Sequence, residues 1–204
     1  MLIPFFPAKF QTTGRGNSTV WGLCVHTMET PRTVGRARQV AQWFASKFAK
    51  MQASTHYDID AVEIYQNVLV ENTAWATGDQ TINQGSISYE ISGSADQSPA
   101  QWSDVYSDHE LSHVSALMAH ECFTRGIPVR KLTPAQIRAL AMRPQHSIKP
   151  SEGGLFGHLD VTLALGIYGG HRDPGQNFPW PRVLKMVAAD VALLQSRVVT
   201  SSNL

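Results

Sequence analysis

The chain has 204 residues, of which 43% are hydrophobic and 16% charged, a balance that suits a globular protein with a sizeable core. Seventeen Lys and Arg against sixteen Asp and Glu leave a formal net charge of +1, so no long-range field draws in nucleic acid or an anionic membrane. No segment approaches the run of about 18 apolar residues that a membrane span needs.

In chain order, the apolar start Met1-Leu2-Ile3-Pro4-Phe5-Phe6-Pro7 is broken by prolines and lacks a basic region, so it does not read as a signal peptide. Thr12 to Ser18 is a turn rich in Gly, Thr, Ser and Asn, followed by an apolar strand over Thr19 to His26. Val34, Ala37, Val40, Ala41, Phe44, Ala45 and Phe48 recur at helical spacing and predict an amphipathic helix over Thr33 to Lys50. His56 to Asp60 and Val62 to Val70 read as adjacent strands joined tightly at Asp60-Ala61, and Ser86 to Ser92 alternates apolar and polar side chains as a strand does. After a polar stretch, a long helix runs from about Asp108 to Arg125, stopped by Gly126 and Pro128. Thr133 and Pro134 supply the cap and first residue of a short helix ending near Met142. Arg143 to Gly170, rich in Gly, Pro and Ser, reads as a loop-rich wall, and Pro181 to about Val198 as a final helix. The expectation is an α/β fold: one domain over residues 1–204, core about 19–198, with a central mixed β-sheet flanked by helices.

Cys24 and Cys122 are the only cysteines. A chain of this size needs no staple, and two buried reduced thiols are expected, although a disulfide between them stays open. Cys24 would share a strand face with His26, which also leaves it open as a metal ligand.

Chemistry concentrates in two glycine-flanked segments, Gly157-His158-Leu159-Asp160 and Gly170-His171-Arg172-Asp173-Pro174-Gly175-Gln176-Asn177-Phe178-Pro179-Trp180, and in the isolated Val25-His26-Thr27. Two imidazoles and one carboxylate are the ligand set of a catalytic zinc whose fourth position stays open for water. Convergence of His26, His158 and Asp173 would therefore make a zinc-dependent hydrolase, with Asp160 placed to orient an imidazole or a loop. A rival reading is a metalloprotease, because His109-Glu110-Leu111-Ser112-His113 matches a zinc-binding helix motif literally.

The ordered set Val25-His26-Thr27-Met28-Glu29, Ala53-Ser54-Thr55-His56-Tyr57-Asp58-Ile59-Asp60, Thr73-Ala74-Trp75, Asn83-Gln84-Gly85-Ser86-Ile87-Ser88-Tyr89-Glu90, Gly157-His158-Leu159-Asp160-Val161 and His171-Arg172-Asp173-Pro174-Gly175 with Phe178-Pro179-Trp180 resembles the zinc-dependent N-acetylmuramoyl-L-alanine amidases of the peptidoglycan-recognition superfamily, in the branch of actinobacteriophage endolysins. The resemblance covers roughly residues 19 to 195. It implies that His26, His158 and Asp173 bind Zn2+ and that Glu90 is the base activating water. It also implies that His171, where many relatives carry lysine, stabilises the oxyanion or protonates the leaving amine. Tyr57 is an implied substrate contact; by residue type alone, Trp75, Trp102, Trp180 and Tyr168 offer an aromatic floor for sugar or stem peptide, and Arg172 a partner for a stem-peptide carboxylate. Peptidoglycan is the implied partner, with no nucleic acid and no membrane, and the chain is expected to be a monomer that acts on the cell wall after release from the host cytoplasm. Two departures stand out: Ala74-Trp75-Ala76-Thr77 lacks the family's histidine after the tryptophan, and Ser88-Tyr89-Glu90 stands where the family has Gly-Ile-Glu. A non-catalytic peptidoglycan-binding module on the same fold is the alternative from another class.

Overall fold

The computed structural model describes residues 2–167 and 170–201. The elements in chain order are β1 (Gln11–Thr12), β2 (Gly22–Thr27), α1 (Arg36–Ala45), β3 (Tyr57–Ile59), β4 (Ile64–Gln66), β5 (Thr73–Ala74), α2 (Gln80–Gly85), β6 (Ser86–Ile91), α3 (Val105–Arg125), α4 (Pro134–Ala141), β7 (Gly154–Gly157), α5 (His158–Leu165) and α6 (Trp180–Ser201). Five strands form one sheet in the order β4-β3-β6-β2-β7, with only β4 antiparallel to its neighbour, and β1 pairs with β5 in a separate ribbon. A mixed sheet flanked by helices is therefore present as expected. No helix among the described residues is long and apolar enough to cross a membrane.

The sheet has two chemically different faces because side chains alternate along a strand. Leu23 and Val25 of β2, Tyr57 and Ile59 of β3, Ile87, Tyr89 and Ile91 of β6 and Leu155 of β7 form one buried layer with Leu111, Val114 and Met118 of α3 and Val183 and Val187 of α6. Each of the aliphatic side chains contributes roughly 1.5–3 kcal/mol on full burial, which makes this layer the main source of stability. The other face carries the intervening residues: Cys24 and His26 of β2, Asp58 of β3, and Ser88 and Glu90 of β6. Strand register sets His26, Glu90 and Asp58 side by side across three strands. The polar functional groups thus share one face and the hydrophobic layer the other.

The end of α3 and the start of α4 lie where the sequence puts them, whereas α3 begins at Val105 rather than near Asp108. Asp104 caps α3 through Ser107 N, and Gly126 ends it in the left-handed region with its N–H on the Cys122 carbonyl. Thr133 and Gln136 form a capping box at α4. Cys24 and Cys122 are buried free thiols on opposite faces of the sheet, which rules out a bond between them.

Four readings need correction. The first helix begins only after Gly35 and ends at Ala45, leaving Val34 and Phe48, assigned to its apolar face, exposed. Strand β4 is three residues long, because Asp60 accepts hydrogen bonds from Val62 N and Glu63 N and holds a turn where longer strand was expected. A short helix, α2, capped by Asp79, precedes β6. The region read as loop contains β7 and α5. Its glycines serve close approach: a Cβ on Gly153 would meet the Trp21 carbonyl oxygen at 1.6 Å and one on Gly157 would meet Pro174 Cδ at 2.5 Å.

Glu110 of α3 is fully buried with neither carboxyl oxygen hydrogen-bonded, and desolvation raises its pKa from 4.5 to about 8 against the smaller opposing pull of Ser92 and Arg32. The folded protein therefore holds a proton there that the unfolded chain releases, so this group makes stability fall as pH rises from about 4.5 to about 8. Glu110→Gln is expected to flatten that part of the curve and to be more stable at pH 8 by a few kcal/mol. Urea unfolding of both proteins at pH 5 and pH 8 measures this, and equal pH slopes would refute it.

Candidate active site

Three segments bring the metal-ligating residues together. His26 is near the end of the fully buried strand β2. His158 is the first residue of α5, directly after β7, where Gly157 pairs with Val25 of β2. Asp160 accepts a hydrogen bond from Gly157 N at 2.7 Å and an ion pair from Lys131 at 2.6 Å, fixing the first turn that presents His158. Asp173 lies in the following loop, which Leu159 N grips through the Asp173 carbonyl at 2.7 Å. Gly175 closes that loop at φ 91°, and a Cβ there would meet the Ala95 carbonyl oxygen at 2.0 Å.

The Asp173 carboxylate sits between the two imidazoles. His26 Nδ1 is 3.1 Å from Oδ2 and His158 Nδ1 is 3.5 Å from Oδ1. One donor atom from each of the three residues lies within 4.8 Å of the others, the only such convergence of His, Cys, Asp and Glu among the described residues. All three side chains are buried, and His26 Nε2 has no hydrogen-bond partner. Burial pushes the Asp173 carboxyl up, but hydrogen bonds and charge from His158 and His26 outweigh it and hold the group well below the usual carboxylate range. Burial, with the charge of His26, lowers the His158 imidazole, although Asp173 and the Thr77 backbone pull it upward. An ionised carboxylate beside a His158 imidazole whose charged form is disfavoured is the protonation state that a divalent cation requires of such ligands. The site thus fits a metal ion by donor type, protonation and convergence.

The centre opens into a cavity of about 480 Å³, within the usual range for a small-molecule site. Glu90 and His171 line it beside the three ligands. Burial raises the Glu90 carboxyl well above its ordinary value, and the charges of Asp173, Asp58 and Glu29 add to the effect. Such crowding of acids is the environment that a cation relieves. The His171 side chain is 58% exposed, stacks on His158 with ring centroids 4.1 Å apart, and has Nδ1 3.6 Å from Asp173 Oδ1. The far wall comes from α1 and the segment after it, through Arg36, Val40, Trp43 and Met51. Arg36 shares a hydrogen bond with Gln39 and has no acidic partner among the described residues.

Other expected contacts lie elsewhere. Tyr57 faces the hydrophobic layer, stacked on Tyr89 at 5.7 Å, because it alternates with Asp58 along β3. Arg172 points away from the cavity and pairs with Asp96 at 3.2 Å on the surface. The proposed aromatic floor is not one surface: Trp102 is buried against Phe178, Trp180 packs under Lys131, and Trp75 lines a neighbouring groove. Tyr168 lies outside the described residues. The helix motif of the rival reading is dispersed, with His109 exposed, Glu110 buried, and His113 Nδ1 bonded to the Asp60 carbonyl at 3.0 Å. Its helix covers the hydrophobic face of the sheet, opposite the metal centre.

Three contributors escaped sequence reasoning. Thr77 partners His158 through its backbone, Asp58 stands beside Glu90, and Glu29 holds the rim. Glu29 adopts φ 50° and accepts hydrogen bonds from Thr27 Oγ1 and Ala95 N, which offset the cost of that conformation. Asp58 alone had a sequence signal, since the alternation of His56, Asp58 and Asp60 puts all three on one face.

Known proteins share this architecture. Staphylococcus aureus AmiA, solved with its ligand, aligns with a TM-score of 0.67 at 15% identity over 96% of this chain and 86% of its own. The PlyG catalytic domain aligns with a TM-score of 0.60 at 18% identity over 94% and 96%. A mutant endolysin from Bacillus subtilis aligns with a TM-score of 0.55 at 16% identity over 91% and 99%. No curated protein matches the chain in sequence. Residues 16–176, which include the three clustered ligands and Glu90, match the family described as N-acetylmuramoyl-L-alanine amidase. The chain belongs to the N-acetylmuramoyl-L-alanine amidase family, and its fold is the amidase fold.

Proposed function

We propose that this peptidoglycan amidase is zinc-dependent, with His26, His158 and Asp173 as its ligands, and that it serves as an endolysin-type enzyme at the host cell wall. The single observation that carries the zinc reading is the convergence of two imidazoles on one ionised carboxylate beside an open cavity. Bound by these three residues, zinc would supply Lewis acidity toward the amide carbonyl and toward water near neutral pH.

The chain's own residues supply the rest. Glu90, one strand from His26 and lining the cavity, takes the proton of the attacking water and passes it to the departing L-alanine nitrogen. His171, at the exposed mouth, donates a hydrogen bond to the oxygen on which negative charge develops. Its stacking on His158 aims the ring at the reacting centre without burying it. A non-catalytic binding module would have no use for Glu90 beside an intact ligand set. The endolysin role draws on the fold shared with the Bacillus subtilis endolysin, and we propose a monomer that meets the wall after release from the host cytoplasm.

The purified protein is expected to carry one zinc per chain and to release L-alanine amino termini from mycobacterial-type peptidoglycan, with chelation abolishing release and zinc restoring it. His171→Ala is expected to retain the metal and lose about 10²-fold in turnover, as when one oxyanion donor is removed. Zinc without cleavage would point to a binding module, and loss of zinc in His171→Ala would mean that the ligand set is wrong.

A further inference from the structure

Helix α1 ends at Ala45, and the chain then makes a tight turn over Ser46 to Ala49. Ala49 N donates to the Ser46 carbonyl at 3.0 Å and Phe48 N to Ser46 Oγ at 3.2 Å. Ala49 is buried at the base of this turn, whereas Lys47 and Phe48 stand exposed at its tip. Phe48 is 79% exposed and Met51, just past the turn, is 59% exposed. Lys47 Nζ lies 5.1 Å from the Phe48 ring centroid. Lys9 reaches the same turn from the N-terminal segment, its Nζ donating to the Lys47 and Ala49 carbonyls at 2.9 and 3.0 Å. Lys50 lies between Phe48 and Met51 in sequence, so three ammonium groups accompany two protruding apolar side chains. None of the three has a carboxylate partner among the described residues. The segment from 30 to 57 holds five Lys and Arg and no acid, so the rest of this nearly neutral chain carries more acids than bases.

Helical spacing assigns Phe48 to a buried face, and the fold instead leaves it in water beside uncompensated charge. A soluble polyanion would neutralise the lysines and leave Phe48 where it is. A protein partner would need a pocket cut to a side chain that protrudes from a convex turn. An anionic bilayer meets both demands at once. Its headgroup phosphates lie at the level of the ammonium groups, and its acyl boundary lies deeper, where protruding apolar tips reach. Attraction of this kind is local, so the small net charge of the whole chain does not oppose it, and salt weakens it. Met51 and Trp43 also line the metal cleft, whereas Lys9, Lys47, Phe48 and Lys50 do not. A chain docked through the turn therefore holds one rim of the cleft toward the bilayer.

We propose that the turn at Lys47 and Phe48 docks the chain on an anionic lipid bilayer, with Phe48 and Met51 entering the interface and Lys9, Lys47 and Lys50 on the phosphates. This does not rest on the amidase reading. The probe is sedimentation of the full chain with vesicles of phosphatidylcholine alone and with about one-third phosphatidylglycerol. Binding is expected only to the second, and to weaken as salt is raised. Lys47→Gln combined with Lys50→Gln is expected to weaken it roughly twentyfold, from about fivefold per lysine at an anionic surface. Phe48→Ser is expected to weaken it roughly tenfold at unchanged charge. All three positions are exposed, so the variants are expected to fold, with circular dichroism as the control. No binding, equal binding to both vesicles, or full affinity in Phe48→Ser would each overturn the docking, the last by leaving a polyanion contact in its place. Phe48→Ser is expected to cleave detached peptidoglycan at the parent rate, since Phe48 does not line the cleft. Slower cleavage would make Phe48 a substrate contact and overturn its role as an anchor. Cleavage without vesicle binding sinks the docking alone, whereas vesicle binding without cleavage by the parent sinks the proposed enzyme function alone.

Discussion

Replacing His158 with alanine is expected to leave a folded protein that holds no zinc and hydrolyses peptidoglycan at least roughly 10³-fold more slowly, because several kcal/mol of transition-state stabilisation depart with the metal. Catalytic zinc sites keep three protein ligands, and the only three that converge among the described residues include His158. Removing its ring leaves Asp173 with His26 at 3.1 Å and the exposed His171 at 3.6 Å, and strips the stacking partner from His171. The fold should survive, since His158 stands at the edge of the cavity and the hydrophobic layer on α3 and α6 does not include it. Metal analysis of the purified variant, with circular dichroism as a control for folding, gives the answer. Full zinc occupancy in this variant would eliminate the proposed ligand set, and with His109 and His113 on the far side of the sheet no second convergent site stands ready among the described residues.

The residues legible in the sequence were those whose signal is local. His26 ends an apolar strand, and His158 and Asp173 sit among glycines and prolines, so their chemistry showed through. The end of α3 at Gly126 and the start of α4 at the Thr133-Pro134 pair were likewise legible, whereas the start of α3 after its Asp104 cap comes before the expected Asp108. What stayed hidden depended on register and on close approach. Tyr57 and Asp58 are adjacent in β3, and only the pairing of Tyr57 with Tyr89 and Asp58 with Glu90 decides which of them faces the cleft. Once Glu90 is on the cleft face, Tyr57 must be on the other, but the sequence does not give that pairing. Gly153, Gly154 and Gly157 look like loop, yet each stands where a Cβ would strike a neighbour within 2.6 Å. The same property of glycine that suggests irregular chain lets β7 lie against β2 and the Asp173 loop lie against α5. Arg172 misled for a related reason: Asp173 turns inward to the imidazoles, and the residue before it is directed to the surface and Asp96.

Glu90→Gln is expected to bind zinc as well as the parent does and to turn over about 10²-fold more slowly or worse, the usual consequence of losing a general base. Glutamine keeps the size and the hydrogen-bonding reach of the side chain, so the cavity and the neighbouring ligand His26 stay in place. What it cannot do is accept and return a proton. The neighbouring acids cannot take over that role. Asp58 is fully buried, with Oδ1 accepting from Thr55 at 3.0 Å, and Asp173 is committed to the two imidazoles. The direction of the perturbation at Glu90 supports the assignment. Burial and the acids around it hold this carboxyl well above its usual range when no cation is present, so a dication at the three ligands would bring it down into the range where a carboxylate can take a proton from water and then lose it to a nitrogen. The decisive readout is kcat at saturating substrate together with zinc stoichiometry. Wild-type kcat would remove Glu90 from the chemistry, whereas an inactive variant without zinc would make it a ligand and would require one of the three residues now assigned to give up that place.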